Sequence, residues 1–132
     1  MKRLAQGVAL LAAVVALTAV GCALFFGPSA EELTEIRGTL TQGEDVLVLD
    51  VRSPEEFAEN HLEGAVNMPH GQVGERLDEV GPTSRHVIVY CKSGVRASWA
   101  ADTLREAGYT HVQNLGGISN GPEVGLRILE IP

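Results

Sequence analysis

Short, continuous runs of apolar residues constrain the fold of this chain more than any other feature of its sequence. Val46–Leu49 is apolar throughout and ends at Asp50, and the run within His86–Tyr90 ends at Cys91. Runs of this length without polar alternation are typical of strands buried on both faces, as in parallel sheets. A third segment, His111–Leu115, predicts another strand. We therefore expect the core to form around parallel strands.

Helix signals separate these strands. Ser29 and Glu32 form a capping-box pattern that predicts a helix through about Leu40. Ser53 followed by Pro54 predicts the start of a second helix. Further helices are predicted over residues 73–80, 97–107 and 124–129. Alternating strands and helices indicate an α/β fold, with a central parallel sheet flanked by helices on both faces.

The composition limits the classes of function. A chain of 132 residues has room for one small domain, and it carries 17 acidic against 10 basic residues, a net charge of -7. Nucleic-acid binding needs clustered Lys and Arg, so a nucleic-acid partner is not expected. The four histidines lack the spacing of metal ligands, and the two cysteines form no CxxC motif. No metal or organic cofactor is implied.

The amino-terminal segment has the pattern of an export signal. Lys2 and Arg3 precede the apolar run Val8–Val20, and the small residue Gly21 follows it. Such a signal places the domain outside the cytoplasm, in the periplasm or cell envelope. Cleavage of the signal would leave an exported domain. If the signal is not cleaved, its apolar stretch is long enough to anchor the chain in a bilayer.

Thr18–Cys22 is also similar to a lipobox, in which the cysteine becomes the acylated first residue after cleavage. We therefore expect residues 1–21 to be a lipoprotein signal or membrane anchor and residues 22–132 to form the exported domain. Lipidated Cys22 would hold the domain at the membrane, so contact with the bilayer is expected through the amino-terminal anchor only. Soluble export after cleavage remains an alternative.

The segment from Cys91 to Arg96 has the features of an anion-binding loop with a reactive thiol. Ligands of open α/β sheets bind beyond the carboxyl ends of the strands, and Cys91 is at such an end. A loop that enters a helix within a few residues turns its N–H groups inward, and Gly94 gives it the necessary freedom. Lys92 and Arg96 add positive charge. Together these features favour a thiolate and predict a nucleophilic Cys91.

Three alternatives to this interpretation stay open. A free cysteine at the end of a strand is often only a small buried apolar residue. Cysteine phosphatases and arsenate reductases also place Cys and Arg around an anion, but with five residues between them, where this chain has the four residues Lys92–Val95. A non-catalytic interaction module on the same scaffold is the third alternative, although such modules usually lack the cysteine.

Several motifs resemble those of the rhodanese family. The first are Asp50-Val51-Arg52, Glu56-Phe57 and the segment His61–Pro69. The others are Tyr90–Ala97, which looks like the active loop, and Gly108-Tyr109 with Leu115–Gly117, which look like the closing segment. The match covers about residues 46–117 in the order of the family. The short exported layout is similar to single-domain, phage-shock-type thiosulfate sulfurtransferases.

This resemblance implies a single rhodanese-like domain over residues 22–132, with its core at about residues 46–117, that acts as a thiosulfate sulfurtransferase. Cys91 would take a sulfane sulfur from thiosulfate or a similar small anionic donor and hold it as a persulfide. Cyanide or a thiol, including the thiol of an unidentified protein, would then accept the sulfur. Mercaptopyruvate is an alternative donor, because Ser93–Val95 also resembles loops of relatives that use it.

The resemblance also assigns roles around Cys91. The backbone amides of Lys92–Arg96 would stabilise the charge of the catalytic Cys91, and Arg96, the second catalytic residue, would also brace the loop. The donor would be bound by Lys92, Ser93, Gly94 and Val95. Asp50 and Arg52 would be structural residues near the site that tie the strand end to neighbouring loops, with a simple surface ion pair as the alternative.

Overall fold

Four parallel strands form the central sheet of the computed structural model, which describes residues 27–43 and 45–132. These strands are β1 (Val46–Asp50), β3 (Val66–Asn67), β4 (His86–Cys91) and β5 (Val112–Gly117). They lie in the order β3-β1-β4-β5, so the two apolar runs form the two central strands. A separate antiparallel pair joins β2 (Asn60–Leu62) to β6 (Ile128–Glu130).

The helices of the described residues are α1 (Ala30–Gln42), α2 (Pro54–Glu59), α3 (Leu77–Val80) and α4 (Val95–Glu106). Both predicted amino-terminal caps are confirmed. Ser29 and Glu32 form a reciprocal capping box, and the Ser53 hydroxyl accepts a hydrogen bond from the Glu56 amide. Short 3-10 helices lie at His70–Glu75, Ile118–Asn120 and Pro122–Val124.

Successive side chains of β1 and β4 point to opposite faces of the sheet and divide the core into two layers. One layer contains Cys91 and packs against small residues of α4, which are Ala97, Ala100 and Ala101. The other layer contains Tyr90 and packs against Ile36 of α1. The predicted α/β fold, with helices on both faces of a parallel sheet, is therefore confirmed.

The carboxyl-terminal segment differs from its prediction. The helix predicted over residues 124–129 is wrong, because the chain turns at Gly125, with a φ of 93°, and continues as β6. In β6, Ile128 lies opposite Leu62, which is fully buried. Val124, Leu126 and Ile128 alternate with Gly125 and Arg127, which is the period of a strand, so the helix prediction overlooked this signal.

Two other segments differ in detail. The helix predicted over residues 73–80 is divided into the 3-10 helix His70–Glu75 and α3. The strand predicted over His111–Leu115 is β5, which continues beyond Leu115 through Gly116 and Gly117. A register shift opposite Val89 and Tyr90 aligns Gly117 with Cys91. This irregularity brings both glycines beside the loop that follows β4.

The predicted export signal over residues 1–21 and the predicted lipidation of Cys22 lie outside the described residues. Among the helices of residues 27–43 and 45–132, none has the length and apolar character that a membrane crossing requires.

Candidate active site

The carboxyl ends of the two central strands lie side by side. Asp50, the last residue of β1, is in register with Tyr90, and Cys91 ends β4 one residue further on. This edge of an open α/β sheet is where such folds bind ligands. The structure thus brings Asp50 and Cys91 to the same edge of the sheet.

The chain reverses direction within three residues between Cys91 and α4. Gly94 is the N-cap of α4 and has a φ of 105°, a conformation that other residues rarely adopt. Its N–H donates a hydrogen bond to Sγ of Cys91, with an N···S distance of 2.9 Å. Its carbonyl accepts a hydrogen bond from the Ser98 amide. The sulfur therefore lies against a backbone donor at the positive end of a helix.

Cys91 lies directly beneath this loop and exposes 0% of its surface. It packs in the same layer as Val51 and Ala97, whereas the next two residues, Lys92 and Ser93, are exposed. Burial alone would fit a cysteine that only fills space. The Gly94 N–H is an additional feature that packing alone does not require, since it places a backbone donor against the sulfur.

Glycines on β5 allow the loop to approach the sheet closely. A Cβ atom on Gly117 would lie 2.6 Å from the carbonyl oxygen of Lys92, closer than such atoms approach in proteins. A Cβ atom on Gly94 would lie 3.4 Å from Cα of Gly116. The position of the loop therefore depends on the missing side chain at Gly117.

Arg96 fixes the start of α4 to α2 through Glu56. Its Nη1 and Nη2 atoms each donate to one carboxylate oxygen of Glu56 at 3.0 Å, and both side chains are partly buried. The hydrogen bonds from Arg96 hold the pKa of Glu56 below its usual range. In return, the hydrogen bonds to Glu56 raise the pKa of Arg96. The pair is therefore a bidentate ion pair at neutral pH.

Asp50 and Arg52 form a second, more deeply buried pair. Nε and Nη2 of Arg52 donate to the Asp50 carboxylate at 2.7–3.1 Å, and the two residues are 4% and 0% exposed. Arg52 also donates to the side-chain oxygen and the backbone carbonyl of Asn60. Burial opposes the charge of Arg52, but its hydrogen bonds with Asp50 raise its pKa overall. The surface-pair alternative is therefore wrong, and the pair ties β1 to β2.

Tyr90 strengthens the same connection from the opposite layer. Its hydroxyl accepts a hydrogen bond from the Leu62 amide at 2.9 Å, and its ring lies 5.7 Å from the Arg52 guanidinium carbon. Burial raises the pKa of Tyr90, so the phenol stays protonated. Adjacent residues of β4 therefore have separate tasks, since Tyr90 holds β2 and Cys91 faces the loop.

Comparison with known proteins identifies the domain that carries this site. Residues 30–121 match the model of the rhodanese-like domain. The chain belongs to the rhodanese-like domain family. Among its relatives, thiosulfate sulfurtransferase PspE of Escherichia coli K12 is 40% identical over 73 residues, which are 54% of this chain and 70% of the relative. A sulfurtransferase of Allochromatium vinosum is 38% identical over 91 residues, 68% of this chain and 84% of the relative.

Solved structures agree with this assignment. A rhodanese with anions from E. coli superposes with a TM-score of 0.58 at 34% identity, and the match covers 64% of this chain and 98% of that one. A protein from Anabaena, Alr3790, gives a TM-score of 0.65 at 30% identity over 75% of this chain and 90% of that one. The rhodanese-like fold is thus supported by structure as well as by sequence.

In this rhodanese-like domain the residues predicted around Cys91 form one continuous loop and helix start. Among the described residues, the hydrogen bond to Sγ comes from the Gly94 amide alone. The side chains of Lys92 and Ser93 lie at the exposed surface, and those of Val95 and Arg96 are partly buried. Their predicted roles in donor binding and catalysis remain predictions.

Three residues of the site were missed or undervalued at the level of sequence. Glu56 occurs in the sequence only as part of the motif Glu56-Phe57, and its partner is 40 positions away, so no local pattern could reveal the pair. Asn60 belongs to none of the motifs singled out in the sequence, yet its side-chain and backbone oxygens accept hydrogen bonds from Arg52. Gly117 belongs to the motif Leu115–Gly117, and only the structure shows that the backbone of Lys92 packs against it.

We expect Gly117→Ala to displace the loop, since the new methyl group meets the backbone of Lys92. The variant should lose about 1–3 kcal/mol of unfolding free energy, and the Gly94 amide resonance should shift. Gly71→Ala is the control, because a Cβ atom there meets nothing within 4 Å. Urea unfolding and NMR of both variants test this, and equal stability with an unchanged Gly94 resonance would contradict it.

Proposed function

We propose that this rhodanese-like protein is a sulfurtransferase that carries sulfane sulfur from thiosulfate, or a similar anionic donor, on Cys91 to cyanide or a thiol. The observation that carries the proposal is the Gly94 N–H on Sγ of Cys91 at the start of α4. It supports a stabilised thiolate at the sheet edge where ligands bind. The names of the relatives, a thiosulfate sulfurtransferase and a sulfurtransferase, support the reaction and the donor.

The reaction has two steps, each a displacement at sulfur. The Cys91 thiolate attacks the outer sulfur of thiosulfate, a new S–S bond forms, and the S–S bond of the donor breaks with its electron pair leaving on sulfite. The acceptor then attacks the outer sulfur of the persulfide, and the Cys91 thiolate leaves. Cyanide becomes thiocyanate, and a thiolate becomes a persulfide. No oxidant or reductant is needed.

The residues of the loop suit different parts of this cycle. The Gly94 N–H can stabilise the thiolate before attack and again when it leaves. Lys92 is exposed at the loop and suits attraction of a dianionic donor. Arg96 holds the start of α4 in place through its bidentate pair with Glu56. Because Sγ itself is buried, the donor must reach it through a small movement of the loop or of the Cys91 side chain.

We expect the purified full-length protein to gain the mass of one sulfur atom on the Cys91 peptide after thiosulfate treatment, and to lose it when cyanide is added. Cys91→Ser should gain none, because a hydroxyl does not form a persulfide. Intact-mass and peptide mass spectrometry measure this. No gain in the wild-type protein, or an equal gain in Cys91→Ser, would favour a non-catalytic module. Turnover of an aryl phosphate without thiosulfate turnover would favour a phosphatase.

We also propose that the protein is exported and held at the membrane through an acyl group on Cys22. The proposal follows from the apolar run and lipobox-like Thr18–Cys22 of the sequence. Mass spectrometry of the amino terminus of protein purified from membranes should find an acylated Cys22 as the first residue. An intact Met1 would overturn lipidation in favour of an uncleaved anchor, and an unmodified new terminus in the soluble fraction would indicate soluble export.

A further inference from the structure

Three cations lie around the Cys91 loop, and they are not equivalent. Arg52 is paired with Asp50, and Arg96 is paired with Glu56, each in a bidentate arrangement. Lys92 makes no ion pair with any residue that the structure describes. Two of the three positive charges are thus matched by a carboxylate, and the charge of Lys92 is not.

Glu56 is the carboxylate through which this balance can change. Asp50 is fully buried and connects two strands, so its removal would disturb the fold. Glu56 is about one-third exposed on α2, and its ion-pair partner is Arg96. The hydrogen bonds from Arg96, and to a smaller extent the charges of Arg52 and Lys92, lower its pKa. Of the two carboxylates that pair with cations beside the loop, Glu56 is therefore the accessible one.

We propose that Glu56 sets the anion affinity of the Cys91 site by compensating the charge of Arg96, so that an incoming anion meets one net positive charge, that of Lys92. On this basis Glu56 is a specificity-determining and positioning residue, and it does not touch the reacting sulfur. The inference deepens the proposed sulfurtransferase function, on which it rests for the identity of the natural anion.

The physical consequence is a balance between capture and release. A second uncompensated positive charge would attract a dianionic donor more strongly, but it would also retain the sulfite that the first step releases. A site with one net positive charge attracts the donor and still lets the product leave. Since the pair is partly exposed, removal of the Glu56 charge should change the local anion concentration only moderately, on the order of threefold to tenfold at low salt.

Two alkylating reagents of similar size can measure this charge at Cys91 without sulfur transfer. Iodoacetate is an anion and iodoacetamide is neutral, and both react with a thiolate by expelling iodide. The ratio of their rate constants reports how strongly the site attracts an anion. A loosened loop changes both rates together and leaves the ratio unchanged, so the ratio separates a role in charge from a purely structural role.

We expect Glu56→Gln to raise the iodoacetate-to-iodoacetamide ratio at Cys91 about threefold to tenfold at low ionic strength, and the rise should shrink as salt screens the site. Lys92→Ala should lower the ratio. Glu55→Gln is the matched control, because Glu55 is a neighbouring exposed carboxylate on α2 with the same charge. The full-length protein is digested after increasing times of alkylation, and mass spectrometry measures how fast the unmodified Cys91 peptide disappears. This gives the rate constant for Cys91 separately from that for Cys22.

An unchanged or lower ratio in Glu56→Gln would overturn the inference. An equal rise in Glu55→Gln would also overturn it, since net charge and not the Arg96 pair would then be responsible. A Cys91 that reacts with neither reagent would overturn it as well. Failure of the proposed function gives a different result, because a protein that takes up no sulfur from thiosulfate can still show the predicted change in the alkylation ratio.

Discussion

The sharp reversal of the chain after β4 is the constraint on which the rest of the site depends. Cys91 ends a strand that is buried on both faces, and α4 must begin four residues later to pack over the same layer. Gly94 makes this possible through its positive φ, and the same conformation points its N–H at the sulfur. A requirement of chain geometry thus creates the contact with the sulfur on which the proposed chemistry depends. The absence of a side chain at Gly117 leaves the space in which the loop lies.

The ion pairs of the domain differ in importance because they differ in burial. Exposed pairs such as Arg127 with Glu63 contribute little to stability, since solvent screens them. Breaking the buried pair of Asp50 and Arg52 would leave an uncompensated charge in the core, at a cost of about 3–5 kcal/mol. That pair holds the strand ends that surround the site. The pair of Arg96 and Glu56 is intermediate in exposure. This exposure suits the proposed role of Glu56, which is to compensate the charge of Arg96 close to solvent.

The sequence predicted the parts of the fold that depend on local patterns. The central strands β1 and β4 are continuous apolar runs, and the caps at Ser29 and Ser53 use neighbouring residues, so each was recognisable without a structure. The position of Cys91 at the carboxyl end of β4 followed from the same pattern. Strands β2 and β6 were missed because three-residue strands carry little periodicity, and the pairing that stabilises them joins distant segments.

The remaining features of the site required the fold. The partner of Arg96 lies on another helix, 40 positions away, and the clash that reserves Gly117 for glycine involves a carbonyl 25 positions earlier. The sequence left open whether Cys91 is buried, because the charged residues Lys92 and Arg96 follow it closely, and the structure shows that it is. Sequence therefore located the candidate loop, whereas the structure revealed the Arg96–Glu56 pair and how closely the loop is packed.

A crystal structure of the thiosulfate-treated protein is the most direct test of the central claim, which is that Cys91 carries the transferred sulfur beside the Gly94 N–H. We expect electron density for one additional sulfur bonded to Sγ, inside the curve of the loop and within hydrogen-bond distance of the Gly94 N–H. Density directed into the apolar layer beneath β4, or a bare Sγ whose Gly94 N–H has turned away, would contradict the claim.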